Sequence, residues 1–294
     1  MTIEIYSHAQ RAIKIPVRRA SVPPIGLLDL ADQMRADAQL HHALQVPGTA
    51  LLGLATDGVP LMIRLASPDV THVLISGARG SGKTRLAATM LASLALFQKP
   101  REIQLVVLSE QLAAFDFLRT LPHLHGMLAS DAEQCLRQLR WLEAEMERRE
   151  REFTARPRLI VVAGDMREWN AENVREYRVR LARVAQRGRQ AGISLVLCQE
   201  QAWQHDALRQ DYFPVRLVAR AANDKHSLFR ARGMFDLLAG SERVPFQPAL
   251  FEPDENYFAR VRMNLEPRRQ ARASGLGKFF KRFERAQNRE DGIA

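Results

Sequence analysis

The sequence predicts an α/β fold with a mostly parallel sheet that helices cover on both faces. Five continuous apolar runs, each long enough for a buried strand, alternate with segments of helical periodicity. A glycine-rich stretch follows the first of these runs and opens a helix, as in a phosphate-binding loop. Strands that are buried on both faces and joined by helices form parallel sheets, because each crossover helix lies on a face of the sheet.

The elements are predicted in the following order. The buried strands are expected at residues 72–76, 103–108, 159–163, 193–198 and 215–219. The helices are expected at residues 27–44, 83–97, 132–153 (capped by Asp131) and 172–190. An Asp57-Gly58 turn between residues 51–55 and 60–65 predicts a hairpin ahead of the buried strands. Two further short strands are expected at residues 3–6 and 12–17.

Three segments are predicted from the change in pattern along the chain. Residues 1–48 read as an accessory segment, residues 49–266 as the α/β domain that carries the glycine-rich stretch, and residues 267–294 as a basic tail. Within the tail, apolar residues at positions 276, 279, 280 and 283 share one helical face and are surrounded by cations. Such a face suits docking on the chain's own core, a neighbouring subunit, DNA or an anionic membrane surface.

Composition excludes several classes of protein. The 294 residues are 46% hydrophobic and 26% charged, which is ordinary globular usage rather than that of a disordered or fibrous chain. The two cysteines, Cys135 and Cys198, form neither a metal motif nor a secreted framework. No secretory signal and no apolar run of the ~18 residues that span a membrane is visible, so a cytoplasmic location is expected.

The charge balance points to a polyanionic partner. Lys and Arg together number 43 against 33 Asp and Glu, which gives a formal net charge of +10. Only six of the 43 are lysines, so arginine, which binds phosphate in a bidentate manner, dominates. Nucleic acid is the partner that such a balance most favours.

A phosphate-binding loop is predicted at residues 77–84, which read G-A-R-G-S-G-K-T and fit the pattern G-x-x-x-x-G-K-[ST]. A predicted strand precedes the loop and a helix follows it, so backbone N–H groups and the helix N-terminus can face phosphate oxygens. Lys83 is expected to reach the β- and γ-phosphates of ATP, and Thr84 to bind Mg²⁺. The residues predicted to contact the nucleotide are Gly77, Ala78, Arg79, Gly80, Ser81, Gly82, Lys83, Thr84 and Arg85.

A second acid for the magnesium site is predicted at Asp165, which ends the apolar strand 159–163 after one glycine. Many P-loop ATPases place a glutamate next, where it polarises the attacking water. Here the residue is Met166, whose thioether cannot accept a proton. Three glutamates follow the ends of buried strands and are candidates to replace it, because the carboxyl ends of parallel strands face the ligand crevice. These candidates are Glu110, Glu168 and Glu200.

With these motifs placed, the chain resembles the motor domain of the FtsK/SpoIIIE family of DNA translocases, which are P-loop ATPases of the FtsK-HerA superfamily. The resemblance runs from about residue 51 to residue 262. The most specific match is the helix segment L-R-W-L-E-A-E-M-E-R-R at residues 139–149. Further matches lie at residues 52–60, 72–77, 121–124 with 130–131, 189–197 and 214–216. The resemblance implies a RecA-like P-loop fold, a hexameric homo-oligomer and double-stranded DNA as the partner.

Three active-site positions depart from the family pattern. The family's Walker B glutamate is Met166 here, its D-P-K stretch falls at residues 109–111, and its T-Q sensor falls at Gln199-Glu200. RecA-like relatives carry the catalytic glutamate after the strand that follows the P-loop helix, and Glu110 stands in that place. Lys83, Asp165 and Glu110 are therefore the predicted catalytic residues, and Thr84 and Asp165 the predicted metal ligands.

Two functions follow from this pattern. The first is an ATP-dependent translocase of double-stranded DNA. The second is a nucleotide-binding, hydrolysis-poor scaffold subunit of a DNA-transfer or secretion assembly. A P-loop kinase is disfavoured by the match at residues 139–149. Arginines on the predicted helix 172–190 are candidate contacts to DNA, and Arg187 or Arg189 is a candidate to reach the γ-phosphate of a neighbouring subunit.

Overall fold

The structure is a computed structural model, and it describes residues 24–166, 168–200, 209–220 and 233–266. These ranges hold six α-helices: α1 (Leu27–Ala36), α2 (Ala38–Gln45), α3 (Lys83–Phe97), α4 (Ala132–Glu152), α5 (Ala171–Arg187) and α6 (Glu255–Leu265). They also hold nine strands: β1 (Thr49–Ala55), β2 (Pro60–Arg64), β3 (Val73–Ser76), β4 (Ile103–Leu108), β5 (Arg158–Ala163), β6 (Ile193–Gln199), β7 (Val215–Ala219), β8 (Phe235–Ala239) and β9 (Glu242–Pro248). A 3₁₀ helix over Leu112–Thr120 follows β4.

All nine strands form one mixed sheet in the order β2-β1-β9-β8-β7-β3-β6-β5-β4. The five predicted buried strands form its parallel part, with β3 between β6 and β7 and with β4 at the edge. The other part, from β2 to β7, pairs antiparallel throughout. The prediction of a mostly parallel sheet is therefore wrong for this half, although the α/β class holds.

The antiparallel half arises because a second hairpin joins the predicted one. The strands β8 and β9 pair tightly, with Ala239 opposite Glu242 across the two residues Gly240 and Ser241. Gly240 has a φ of 58°, the left-handed conformation that glycine adopts readily in such turns. Strand β9 then pairs with β1, so the predicted β1–β2 hairpin extends the same sheet.

Helices cover both faces of the sheet, as predicted. Along β4, Leu105 and Val107 belong to one apolar cluster, whereas Val106 and Leu108 belong to the other. The first cluster includes α1, α3 and α6, and the second includes α4 and α5. Because successive strand residues point to opposite faces, the continuous apolar runs seen in the sequence are buried on both sides.

Helix ends follow the capping residues. The predicted helix 27–44 is interrupted at Asp37, whose carboxylate accepts hydrogen bonds from the backbone N–H groups of Gln39 and Leu40 and so starts α2. The single helix expected there is therefore two helices. Asp131 caps α4 as predicted, since its carboxylate accepts from the backbone nitrogen of Gln134 at 2.8 Å.

The N-terminal helices share the core of the nucleotide-binding part. Leu27, Leu30 and Met34 of α1 are fully buried in the same apolar cluster as α3 and β1. The division at residue 48 stays a prediction. The predicted strands at residues 3–6 and 12–17 and the basic tail at residues 267–294 lie outside the described residues.

Candidate functional site

A cavity of about 250 Å³ lies between the glycine-rich loop, the start of α3 and the carboxyl ends of β4 and β5. It is lined by Arg79, Gly80, Gly82, Lys83, Thr84, Arg85, Ser109, Glu110, Gln111, Phe115, Val162, Gly164, Asp165 and Cys198. The predicted catalytic residues Lys83, Asp165 and Glu110 thus line the same cavity. The chain places these residues together although 82 sequence positions separate the first from the last.

The loop owes its shape to glycines. Gly80 and Gly82 have φ values of 75° and 96°, the left-handed region that L side chains rarely adopt. A Cβ atom on Gly77 would lie 2.5 Å from the Cβ of Ala219 on β7, which is closer than two non-bonded carbon atoms can approach. The loop can therefore curl against β7 and deliver the chain into α3, whose first residue is Lys83.

Lys83 lies inside the curl of this loop. Its Nζ donates to the carbonyl oxygens of Gly77 and Ala78, both at 2.9 Å. The following residue, Thr84, donates its hydroxyl to the side-chain oxygen of Gln111 at 2.8 Å. The N-terminus of a fifteen-residue helix, an ammonium group and turned backbone N–H groups together favour an anion at this place.

Two carboxylates face the loop from the ends of β4 and β5, and backbone N–H groups hold both. Asp165 accepts from the backbone nitrogen of Glu200 at 2.7 Å, and Glu110 accepts from the backbone nitrogen of Glu168 at 3.2 Å. Among the three candidate bases, Glu110 lines the cavity, whereas Glu168 and Glu200 are not among its lining residues. The role of the latter two in this geometry is to supply main-chain donors.

The side chain of Met166 lies in the apolar core and not in the cavity. Its side chain is 7% exposed and belongs to the apolar cluster under α4 and α5, together with Leu136 and Tyr177. The position that carries a glutamate in many P-loop ATPases therefore points away from the cavity in this chain. Among the described residues, Glu110 and Asp165 are the carboxylates that line the cavity.

The residues present fit a magnesium nucleotide. Two buried polar atoms beside the loop, Ser81 Oγ and Gln199 Oε1, have no hydrogen-bond partner in the described part of the chain, as expected where a ligand or water supplies the missing bond. No group of three or more His, Cys, Asp or Glu suited to a metal occurs in residues 24–266 outside the gaps named above. Mg²⁺ usually takes one or two protein oxygens plus phosphate oxygens and water, which Thr84 and Asp165 match.

Several lining residues escaped the sequence prediction. Ser109 and Gln111 flank Glu110, and their departure from the family's D-P-K pattern was the available signal. Cys198 lines the cavity wall, and burial raises the pKa of its thiol to about 12. A buried thiol with so high a pKa stays protonated and is a poor nucleophile, so Cys198 acts here as an apolar wall residue.

Three arginines of α5 form ion pairs with glutamates, mainly those of α4. Arg180 forms ion pairs with Glu143 and Glu176, and Arg187 pairs with Glu150 at 2.6 Å. Arg183 also reaches Glu143, at 3.2 Å. These carboxylates balance the arginine charges within the chain. The three arginines are therefore weaker candidates for DNA or for a neighbouring nucleotide than the sequence alone suggested.

The helix motif at residues 139–149 proves to be architectural. Trp141 stacks on His125, with ring centroids 4.1 Å apart. Arg149 is 2% exposed, donates to Glu145 at 2.6 Å and to the carbonyl of Ala191 at 2.9 Å, and so ties α4 to the start of β6. The most specific sequence match thus marks the scaffold behind the site.

Over the described residues, no helix combines the length and apolar character that crossing a bilayer requires.

The sequence of this chain is similar to those of known proteins. The model of the FtsK/SpoIIIE family matches residues 33–165. The DNA translocase SftA of Bacillus subtilis (strain 168) is 28% identical over 209 residues, which are 64% of this chain and 21% of that protein. The DNA translocase FtsK of Corynebacterium glutamicum is 23% identical over 204 residues, covering 59% and 22%. The chain therefore matches about a fifth of the length of each of these relatives.

Solved structures share the fold. The conjugation coupling protein TcpA of pCW3, in its monomer form with ATPγS, superposes with a TM-score of 0.59 at 18% identity, over 74% of this chain and 70% of that one. The cytoplasmic domain of the type VII secretion ATPase EccC of Thermomonospora curvata gives 0.61 at 20% identity, over 75% and 31%. Together with the family match and the phosphate-loop geometry, these findings confirm the resemblance of this chain to the FtsK/SpoIIIE family of P-loop ATPases.

Proposed function

We propose that this chain is an ATP-driven motor for double-stranded DNA that works as a ring of identical subunits, with the cavity beside α3 as its ATP site. The observation that carries the proposal is the convergence of Lys83, Thr84, Asp165 and Glu110 on one cavity at the N-terminus of α3. The family match and the relatives that are DNA translocases support the motor and its DNA partner.

Each of these residues has a separate task in the proposal. The loop N–H groups, the helix N-terminus and Lys83 bind the phosphate chain of the substrate. Thr84 and Asp165 would hold Mg²⁺, which when bound would supply positive charge to the phosphate oxygens. Glu110 accepts the proton of the attacking water. In many P-loop ATPases a glutamate at the position of Met166 has this task. The backbone N–H of Glu168 donates to Oε1 of Glu110 at 3.2 Å and so holds the carboxylate at the cavity.

The ring and the DNA contacts rest on the resemblance and on charge. A hexamer is the expected assembly, and its pore is expected to meet DNA through phosphates rather than bases, which makes binding salt-dependent and independent of sequence. The net charge of +10 supports a polyanionic partner.

A second candidate is a nucleotide-binding subunit that hydrolyses poorly and scaffolds a DNA-transfer or secretion assembly. The burial of Met166 favours this candidate, because the position that usually carries the base points into the core and not into the cavity. The shared fold with a coupling protein and a secretion ATPase is compatible with it.

DNA-stimulated ATP turnover separates the two candidates. The motor requires turnover that rises when duplex DNA is added and that disappears in Lys83→Ala, which removes the phosphate-binding ammonium. The matched control is Lys99→Ala, a half-buried lysine outside the cavity, which is expected to keep full turnover. Nucleotide binding without DNA-stimulated turnover would instead support the scaffold, and an Lys83→Ala variant that binds ATP as the wild type does would contradict both.

A further inference from the structure

Gln111 is a lining residue of the cavity to which neither the motif nor the family pattern assigns a task. It follows Glu110 in the segment after β4, yet its side-chain oxygen accepts the hydroxyl hydrogen of Thr84 at 2.8 Å, across 27 sequence positions. Its own backbone nitrogen donates to Ser109 Oγ at 3.1 Å, which ties the end of β4 to this contact. Gln111 thus bridges the β4 edge of the cavity and the first turn of α3.

The contact determines where the lone pairs of Thr84 point. A threonine hydroxyl carries one hydrogen and two acceptor lone pairs, and its hydrogen rotates to suit its surroundings. When Gln111 takes the hydrogen, the rotation of the hydroxyl is fixed and both lone pairs lie on the remaining side of the oxygen. A hydroxyl that binds a cation must present a lone pair rather than its hydrogen, so this arrangement prepares Thr84 as a ligand.

The hydrogen bond between Thr84 and Gln111 lies where it can change the affinity of the site for a cation. Both residues line the cavity, and in the described part of the chain the Thr84 hydroxyl has no other hydrogen-bond partner. Without Gln111, the hydroxyl would rotate freely, and it would lose this rotational freedom when it binds the cation. Partners that orient metal ligands typically change metal affinity by about 10- to 100-fold.

We infer that Gln111 is a positioning residue that sets the Mg²⁺ affinity of the nucleotide site by holding the Thr84 hydroxyl with its lone pairs free. This rests on the proposed ATP site. It makes the side-chain oxygen of Gln111 the important atom, so a residue with an acceptor there is expected to substitute for it, whereas an apolar residue of the same length is not.

The test is a Mg²⁺ titration of binding of a fluorescent, non-hydrolysable ATP analogue, with the full chain. Gln111→Met keeps the length and removes the acceptor, and is expected to raise the Mg²⁺ concentration at half-maximal binding about tenfold or more. Binding in EDTA is expected to be unchanged, because Lys83 and the loop still hold the phosphates. Gln111→Glu keeps an acceptor and is expected to need no more Mg²⁺ than the wild type. Gln33→Met, on the exposed side of α1, is the matched control.

The outcomes separate this inference from the proposal beneath it. A Gln111→Met variant with the wild-type Mg²⁺ midpoint, or equal losses in Gln111→Met and Gln111→Glu, would overturn the inference while leaving the ATP site standing. A wild-type chain that binds no analogue at any Mg²⁺ concentration would overturn both. A tenfold shift in Gln111→Met, with Gln111→Glu and Gln33→Met at the wild-type midpoint, supports the positioning role.

Discussion

Met166 shows how one side chain can change an active site by where it points. Its thioether lies among apolar side chains of the α4–α5 face and is 7% exposed. One question is whether the substitution Met166→Glu would restore a base to the site. The structure answers against it, because a carboxylate there would be directed into the core rather than into the cavity.

We therefore expect Met166→Glu to destabilise the fold and to leave hydrolysis unimproved. Burying a polar group without a partner costs at least about 2 kcal/mol of unfolding free energy. Met166→Leu, which conserves volume, is expected to cost less than about 1.5 kcal/mol. Urea denaturation of both variants measures the difference. A stable Met166→Glu protein with faster ATP turnover would show that this side chain reaches the site.

Glu110 is the carboxylate on which hydrolysis is expected to depend. Glu110→Gln keeps the shape and still accepts the hydrogen bond from the Glu168 backbone, but an amide cannot take a proton from water. We expect turnover to fall by about 10²- to 10⁴-fold while binding of the ATP analogue persists. Glu168→Gln is the control, because it alters a side chain outside the cavity and keeps its backbone donor. Unchanged turnover in Glu110→Gln would remove this residue from the mechanism.

The site was predictable where its residues are close in sequence and less so where the fold brings them together. The loop at residues 77–84 is local, so spacing alone identifies it. Asp165 and Glu110 were predictable as strand-end carboxylates, because parallel strands present their carboxyl ends on one side. The contact between Thr84 and Gln111 depends on how the segment after β4 turns, and no periodicity in the sequence encodes that turn.

At the scale of elements, the parallel strands were predictable because they are apolar on both faces. Strands β8 and β9 were missed because β9 carries exposed Glu242 and Arg243 and two prolines, which weaken a strand pattern. The break between α1 and α2 was missed because the apolar spacing continues across Asp37 and hides the capping role of that residue. In both cases tertiary pairing or a cap overrode local propensity.

His72 joins two central strands of the sheet and makes the fold sensitive to acid. It precedes β3, and its Nδ1 accepts the backbone N–H of Leu195 on β6 at 3.0 Å, which requires a neutral ring. Burial lowers its pKa from 6.5 to about 4. Since protonation is easier in the unfolded chain, the stabilisation is complete above about pH 6.5 and is lost progressively as the pH falls to about 4.

We expect acid to remove up to about 3 kcal/mol of unfolding free energy through His72 over this range. His72→Gln retains a side-chain acceptor but does not titrate, so its unfolding free energy is expected to fall less steeply between pH 6.5 and 4. His42→Gln, on the exposed side of α2, serves as the control and is expected to keep the wild-type slope. Urea midpoints at several pH values measure these slopes, and equal slopes for all three proteins would contradict the assignment.

At the scale of the whole molecule, some of the positive charge is paired with carboxylates of the same chain, and this differs from one region to another. Three arginines of α5 form ion pairs with glutamates of α4: Arg180, Arg183 and Arg187. Asp236 likewise pairs with Arg220 and Arg243. The sequence after Glu266 is different, because the stretch 268–289 holds eight Lys and Arg residues against one acid, Glu284. The whole tail, residues 267–294, holds eight Lys and Arg residues against three acids, so it carries half of the net charge of +10.

This distribution leads to a prediction about salt. Each phosphate contact adds about 0.9 to the slope of log affinity against log salt concentration on duplex DNA. Replacing Arg268, Arg269 and Arg272 by Gln is expected to reduce that slope by about 2 to 3, equally for different DNA sequences. The matched control, Arg187→Gln with Glu150→Gln, removes an ion pair without changing net charge and is expected to leave the slope unchanged. Binding titrations on two unrelated duplexes at several salt concentrations decide the matter. If the tail variant keeps the wild-type slope, these tail arginines do not contact DNA; if the ion-pair variant lowers the slope, Arg187 of α5 does.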